Sequence, residues 1–332
     1  MKYPKIIFMR TPQKHGGPGS FQSRLEDYLK EKLINFDYFK NVKNTNSNSS
    51  TQVICIFSST KNLFWVFLQK LKGSKIIIRL DGLNWEYKYL KIPLKKKIYA
   101  IIDNFITFII INLFSTDVIF QSNFVKREWG KWIIKKKRTH VIYNGFNFSE
   151  HNEYSEKKNS NYQFLVAEGE LSSPISIKIL NSINYNVDVY GKCNKNFISK
   201  IHNTKIKFMG VVPRNEMNFI FKRYKALLSL EVCPACPNAV IEAQSNGLPI
   251  LCYETGSISE IVHPYLNPIL DYGANPKKYE YPRLDQINLI AGYLIQNFKF
   301  NREIQEYSYQ KFNMNIIGKE YCKVFFGKSI ER

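Results

Sequence analysis

The sequence predicts an α/β protein built from two doubly wound domains that face each other across a cleft. Three observations carry this expectation. A chain of 332 residues, 44% of them hydrophobic, is long enough for roughly two cores. Short β-branched runs alternate with longer helical patterns from end to end, and the runs are continuously apolar, as in parallel sheets covered on both faces. A polar stretch, "EHNEYSEKKNSN" (150–161), interrupts the alternation and reads as an interdomain connection.

The strand candidates of the first half are "KIIFM" (5–9), "VICIF" (53–57), "KIIIRL" (75–80), "DVIFQ" (117–121) and "THVIY" (139–143). Between the first two, Phe21, Leu25, Tyr28, Leu29 and Leu33 fall on one stripe of a helix. "NTNSNSSTQ" (44–52) is a polar loop. The second half starts afresh with "QFLVAEG" (163–169), "VDVYG" (187–191), "IKFMG" (206–210), "ALLSL" (226–230) and "PILCY" (249–253). Glycine follows several of these runs, where a chain turns at the carboxyl edge of a sheet. The final helical stretch, 285–326, is long enough to pass back over the first domain. The expected boundaries are 1–150 and 160–310, with 311–332 returning as a helix to the first domain.

The formal charge is +21, which favours anionic partners such as phosphorylated substrates, nucleic acid or an anionic membrane face. No helix-turn-helix or RNA-recognition signature accompanies it, so no specific nucleic-acid partner is expected. "KIIFM" is too short for a secretory signal, and the six cysteines form no disulfide framework, so a cytoplasmic, reducing compartment fits. The apolar run "IYAIIDNFITFIIINLF" (98–114) carries Asp103, Asn104 and Asn112 and reads as a buried helix rather than a membrane span. The basic segments "PLKKKIY" (93–99) and "KWIIKKKR" (131–138) read either as solvated faces or as segments that hold the protein on anionic lipid, peripheral to the cytoplasmic face of a membrane.

The most informative stretch is "CPACPNAVIEAQSNGLPI" (233–250). Pro237-Asn238 starts a helix, with Asn as the expected N-cap, and Gly247 before Leu-Pro ends it. The preceding loop therefore leads from a strand's carboxyl end into a helix N-terminus, where N–H groups and the macrodipole favour phosphate. Glu242, one turn further, would repel a phosphate but can accept two hydrogen bonds from a ribose diol. A glutamate that merely complements the helix dipole is the plainer alternative. Cys233-Pro-Ala-Cys236 matches C-x-x-C, but no second pair completes a zinc site.

"CPACPNAVIEAQSNGLPILCYETGSISEIV" (233–262) resembles the C-terminal signature of family 4 glycosyltransferases of the GT-B fold, in the subgroup with a PACPNxxIEA pattern. "HGGPGSF" (15–21) resembles that family's N-terminal glycine loop, and "VIYNGFN" (141–147) the strand and turn that close its first domain. The resemblance implies two facing Rossmann-like domains. It also implies a nucleotide-sugar donor held by the C-terminal domain, a glycan or lipid-linked acceptor, and transfer with retention. No cofactor and no metal are implied, and no Asp-x-Asp pair is present to clamp Mg²⁺. By position, Glu242 becomes the ribose-binding glutamate, and the backbone of Ala235, Cys236, Asn238 and Ala239 faces the diphosphate. Gly16 and Gly17 let backbone approach the donor. Asp81 stands beside the transferred sugar, and reads equally well as a turn aspartate before Gly82.

The chain departs from the family pattern in two places. The first signature acid falls at Pro234, with Glu231 three residues earlier as its only nearby substitute. Where the family places Arg and Lys for the diphosphate, this chain reads "VAEGELSSPISIK", leaving Lys178 and, further on, Arg214 as candidates. Two other functions share the pattern: a GT-B nucleotide-sugar epimerase, and a catalytically weakened binding protein on the same scaffold.

Overall fold

The computed structural model describes residues 3–12, 17–43, 52–84, 88, 93–148, 162–297 and 301–327. The chain divides into two compact units, Met1–Asn147 with Phe312–Arg332, and Phe148–Lys311.

The first unit runs β1 (Ile6–Phe8), α1 (Gly17–Glu31), β2 (Phe36–Tyr38), α2 (Phe39–Val42), β3 (Val53–Phe57) and α3 (Leu63–Leu71). It continues with β4 (Lys75–Leu80), α4 (Leu94–Ile109), a π-helical turn (Ile110–Phe114), β5 (Asp117–Phe120), α5 (Asn123–Gly130) and β6 (Arg138–Val141). Its strands are all parallel in the order β2-β1-β3-β4-β5-β6. The second unit holds β7 (Phe164–Leu171), α6 (Pro174–Ser182), β8 (Val187–Cys193), α7 (Lys195–Ile198), β9 (Ile206–Gly210), α8 (Arg214–Phe221) and β10 (Ala226–Leu228). Then come α9 (Asn238–Ser245), β11 (Ile250–Tyr253), α10 (Ile258–Ile261), β12 (Ile269–Leu270), α11 (Ile287–Gln296) and α12 (Arg302–Phe312). Its parallel order is β12-β11-β10-β7-β8-β9. Finally, α13 (Met314–Phe326) belongs to the first unit, where Tyr321 packs on Phe21 with ring centroids 5.4 Å apart.

These are two doubly wound α/β domains, as the continuous apolar runs require. Every residue of β3 and of β5 is buried, because helices cover both faces of the sheet. The two short edge strands β2 and β12 lacked a sequence signal: a half-buried Phe-Asp-Tyr and an Ile-Leu pair present no apolar run to read.

Two expectations are corrected. Leu33 does not join the stripe of Phe21, Leu25, Tyr28 and Leu29; it is 88% exposed with φ +54°. The helix closes on a Schellman turn, with Leu33 N–H donating to Lys30 O and Ile34 N–H to Leu29 O, and Ile34 fills the core instead. The 98–114 helix is not a core helix either. Along Leu94–Ile109 only Thr107 is buried, and burial resumes at Ile110, Ile111 and Asn112 of the π-turn.

Candidate active site

In open parallel sheets ligands bind beyond the carboxyl ends of the strands, where the strand order reverses. In the second unit the reversal lies between β7 and β10, because β7 continues through β8 to β9 while β10 continues the other way to β11 and β12. Beyond that point lie the end of β7, the loop after β10 and the turn after β11.

The loop after β10 is clamped from below. Cys233 N–H donates to Thr255 Oγ1 at 3.1 Å, and Ser257 N–H donates to Pro234 O at 2.9 Å. Cys233 takes φ +51°, an αL conformation costly for a side chain. Gly256, at φ +60°, lies so close beneath that a Cβ on it would meet Cys233 C and Pro234 N, each at 2.5 Å. Only glycine fits there. Cys233 Sγ lies 3.4 Å from Thr255 Oγ1, so its thiol takes part in the same clamp.

The loop delivers the chain into α9. The expected N-cap is corrected here: the cap position is Pro237, without a side-chain hydrogen bond, and Asn238 is the first helical residue. Gly247 ends the helix at φ +67°, its N–H donating to Gln244 O at 2.8 Å, as the Gly-Leu-Pro sequence requires. From Cys233 to Gly247 the residues that keep surface are Ala235, Asn238, Ala239 and Glu242, and the rest are buried. Those four recur at i, i+3, i+4 and i+7, so they form one accessible strip over the loop and first turns of the helix. Cys236, expected among the donor-binding residues, contributes a buried side chain.

Opposite the loop, Glu168 Oε1 accepts the Leu230 N–H at 3.0 Å. This tie positions Glu168 beside Glu231, whose charge acts on it. Both residues keep part of their surface, yet both carboxyls are closely surrounded by protein. Desolvation raises both above the ordinary carboxyl range, and for Glu168 the like charge of Glu231 adds to the rise. Two carboxyls raised in this way can give and take a proton near neutrality. The bulge in β7 between Ala167 and Glu170 belongs to the same device: a Cβ on Gly191, at φ +147°, would lie 2.1 Å from Glu168 O.

Lys178 lies exposed on α6 with its Nζ over the Tyr281 ring, 5.8 Å from the centroid. Arg214 opens α8, and its side chain lies outside the described residues.

In the first unit, Gly17 is the first residue of α1, whereas Gly16 and His15 lie outside the described residues. Asp81 follows β4. Its carboxylate accepts from Arg79 Nη1 at 2.7 Å, from Gln121 Nε2 and from Ser58 Oγ, and its carbonyl accepts from Trp129 Nε1 at 3.1 Å. Arg79 is fully buried, donates also to Tyr321 Oη at 3.0 Å and to Asn144 Oδ1, and lies over the Phe21 ring. Asp81 therefore anchors a buried arginine, a structural role that is neither of the two the sequence suggested. Arg10 sits near both groups. Burial lowers its pKa, Asp81 opposes the shift and Arg79 adds to it. His140 lies on β6 with Nε2 3.1 Å from Asp117 Oδ1.

Sequence reasoning passed over Glu168, Arg79 and Arg10. Their signal is a charge at or near the carboxyl end of an apolar strand run, in "FLVAEGEL", "KIIIRL" and "KIIFMR".

No family model matches the sequence, and no curated protein matches it. The structure, however, is similar to solved structures over nearly its full length. HepE from Anabaena, in complex with UDP and glucose, superposes with a TM-score of 0.71 at 14% identity, covering 98% of this chain and 100% of that one. Sucrose-phosphate synthase from Thermosynechococcus elongatus gives 0.73 at 12% identity, covering 97% and 98%. The apo form of the lipopolysaccharide outer core galactosyltransferase WaaB gives 0.63 at 15% identity, covering 97% and 99%. At these identities the likeness speaks for architecture, and on that ground the chain has the GT-B fold with its two Rossmann-like domains.

Proposed function

We propose that the protein is a glycosyltransferase that uses a nucleotide-sugar donor, works without a metal, and retains configuration at the anomeric carbon. The observation that carries this reading is the accessible strip Ala235, Asn238, Ala239 and Glu242 at the switch point of the second sheet. Amide groups at the α9 N-terminus suit a diphosphate, and a carboxylate one turn on suits the ribose hydroxyls. The structures of HepE with UDP and glucose and with UDP-glucose make UDP-sugars the first donors to test. A metal-independent reaction is what the family resemblance implies, in a sequence without an Asp-x-Asp pair. The acceptor is a glycan or lipid-linked sugar, and the enzyme works in the cytoplasm; both follow from the family resemblance and the cysteine pattern.

The test is a thermal-shift screen of UDP-, GDP-, ADP- and CMP-sugars, followed by kinetics of Glu242→Gln. A true donor raises Tm by mass action. Losing a charged hydrogen-bond acceptor should raise the donor KM by roughly 10- to 100-fold. Unchanged donor kinetics would remove Glu242 from the site.

The Glu168–Glu231 pair favours one second reading, a nucleotide-sugar epimerase, because that chemistry needs acid and base groups beside the sugar. Incubation with the donor alone separates the two. A new epimer without acceptor supports epimerisation, whereas an unaltered donor that is consumed only with acceptor supports transfer.

A further inference from the structure

The helix α4 is built inside out. Beyond its exposed first-turn lysines its polar residues face the protein: Asp103 binds Asn84 Nδ2 at 2.9 Å and Ser59 Oγ, and Asn104 Nδ2 donates to Asn84 O at 2.8 Å. Thr107 Oγ1 reaches Ser58 O at 3.4 Å. The opposite face carries Leu94, Ile98, Ile101, Ile102 and Phe105, all exposed, at the i, i+4, i+7, i+8, i+11 spacing of one helical stripe. Soluble proteins turn such a stripe inward; here Phe105 is 61% exposed.

The stripe does not stand alone. On α3 only Val66 is buried, while Phe64, Phe67, Leu68 and Leu71 are exposed at i, i+3, i+4 and i+7. Phe67 meets Phe114 of the π-turn with ring centroids 6.3 Å apart, which makes α3 and the end of α4 neighbours. Trp132 packs on Phe108 at 6.3 Å, and Asn112 fixes the same segment by donating to Trp132 O and accepting from Ile134 N–H. Both Trp132 and Ile134 are exposed. Three segments of one unit thus join into a single apolar surface.

Its rim is basic. Lys95, Lys96 and Lys97 stand exposed at the start of α4. Lys70, Lys135 and Lys137 lie close enough at the far side for the first two charges to lower the pKa of Lys137, after its own desolvation. An apolar plane with a tryptophan and a lysine rim matches a bilayer interface with anionic headgroups. The Leu94–Phe114 segment is 21 residues long and holds an 18-residue window of mean hydropathy 1.6, of which only 22% is buried, long enough to span. Its polar face is hydrogen-bonded to its own unit, so the helix is held along the surface instead.

We infer that α3, α4 and the 131–138 segment form a docking surface for an anionic phospholipid bilayer, with the apolar stripes entering the interface and the lysines meeting headgroups. The inference is independent of glycosyl transfer, and its test reads binding alone. Full-length protein is sedimented with vesicles of phosphatidylcholine alone and of phosphatidylcholine mixed with phosphatidylglycerol. Wild type should bind the mixed vesicles strongly and the neutral ones weakly. Ile102→Ser with Phe105→Ser should weaken binding to the mixed vesicles about a hundredfold, with Tm unchanged because both side chains are exposed. Lys95→Gln, Lys96→Gln and Lys97→Gln together should weaken binding to mixed vesicles by a similar factor and leave neutral vesicles unaffected. The inference is overturned if wild type binds neither vesicle, or if the Ile102/Phe105 variant binds as wild type. It is overturned equally if that variant only abolishes a concentration-dependent dimer, since the face would then belong to a second copy of the chain.

Discussion

Replacing Gly256 by alanine tests the clamp beneath the candidate donor loop. The new Cβ would approach Cys233 C and Pro234 N at 2.5 Å, about 0.9 Å inside the 3.4 Å at which ordinary contact begins. Both atoms are backbone, so no side chain can rotate away. The loop must therefore move by roughly 1 Å, or the turn at Thr255–Ser257 must open and break the bond from Ser257 N–H to Pro234 O. A φ of +60° adds about 1–2 kcal/mol of strain for any residue with a Cβ. Gly210→Ala is the matched control, because Gly210 has φ +77° but nothing within 4 Å of its Cβ position. Both variants should take on similar backbone strain, while only Gly256→Ala also displaces the loop. A misplacement of about 1 Å at a positioning element costs on the order of a hundredfold in rate. Urea unfolding measures the first effect, and kcat/KM together with the donor-induced Tm shift measures the second. If both variants keep the same donor response, the clamp does not set the loop geometry and the reasoning fails.

Three further outcomes follow from the same structure. Glu168 binds its proton more tightly in the folded state than in the unfolded chain, whose carboxyl titrates near 4.5. Its stabilisation is fully present below that value and is lost as pH rises through the raised folded-state value. Glu168→Gln should therefore leave Tm unchanged near pH 4 and raise it relative to wild type in alkaline buffer; parallel Tm–pH profiles would contradict the shift. Asp81→Asn removes the carboxylate from a fully buried Arg79 and should cost about 3 kcal/mol, the low end for a broken buried pair because Asp81 keeps 22% of its side-chain surface. A urea midpoint equal to wild type would show that Tyr321 and Asn144 suffice for Arg79. Gly191→Ala should destabilise the second unit and shift the pH profile of activity, because the added methyl would displace the Glu168 carbonyl. An unaltered profile would separate the bulge from the acid pair.

Much of the fold is local and was legible. The runs "VICIF" and "KIIIRL" become β3 and β4 residue for residue, because a strand buried on both faces is apolar along its length. The exceptions are Lys75 at the open end of β4 and the paired Arg79. The α9 helix and its glycine stop followed from the conformational demands of Pro237 and Gly247. Ala235, Asn238, Ala239 and Glu242 were expected at the site through the family resemblance; that they form one accessible strip, with Cys236 buried, is read from the packed helix. What the chain order could not show was convergence. Glu168 and Leu230 lie 62 positions apart, and only the reversal of strand order brings the end of β7 to the loop after β10. The same limit explains α4. Its residues specify an amphipathic helix, but not which face meets the protein, because that depends on where Ser59 and Asn84 stand in three dimensions. Period and turn chemistry are properties of neighbours along the chain; burial and proximity are properties of the packed molecule.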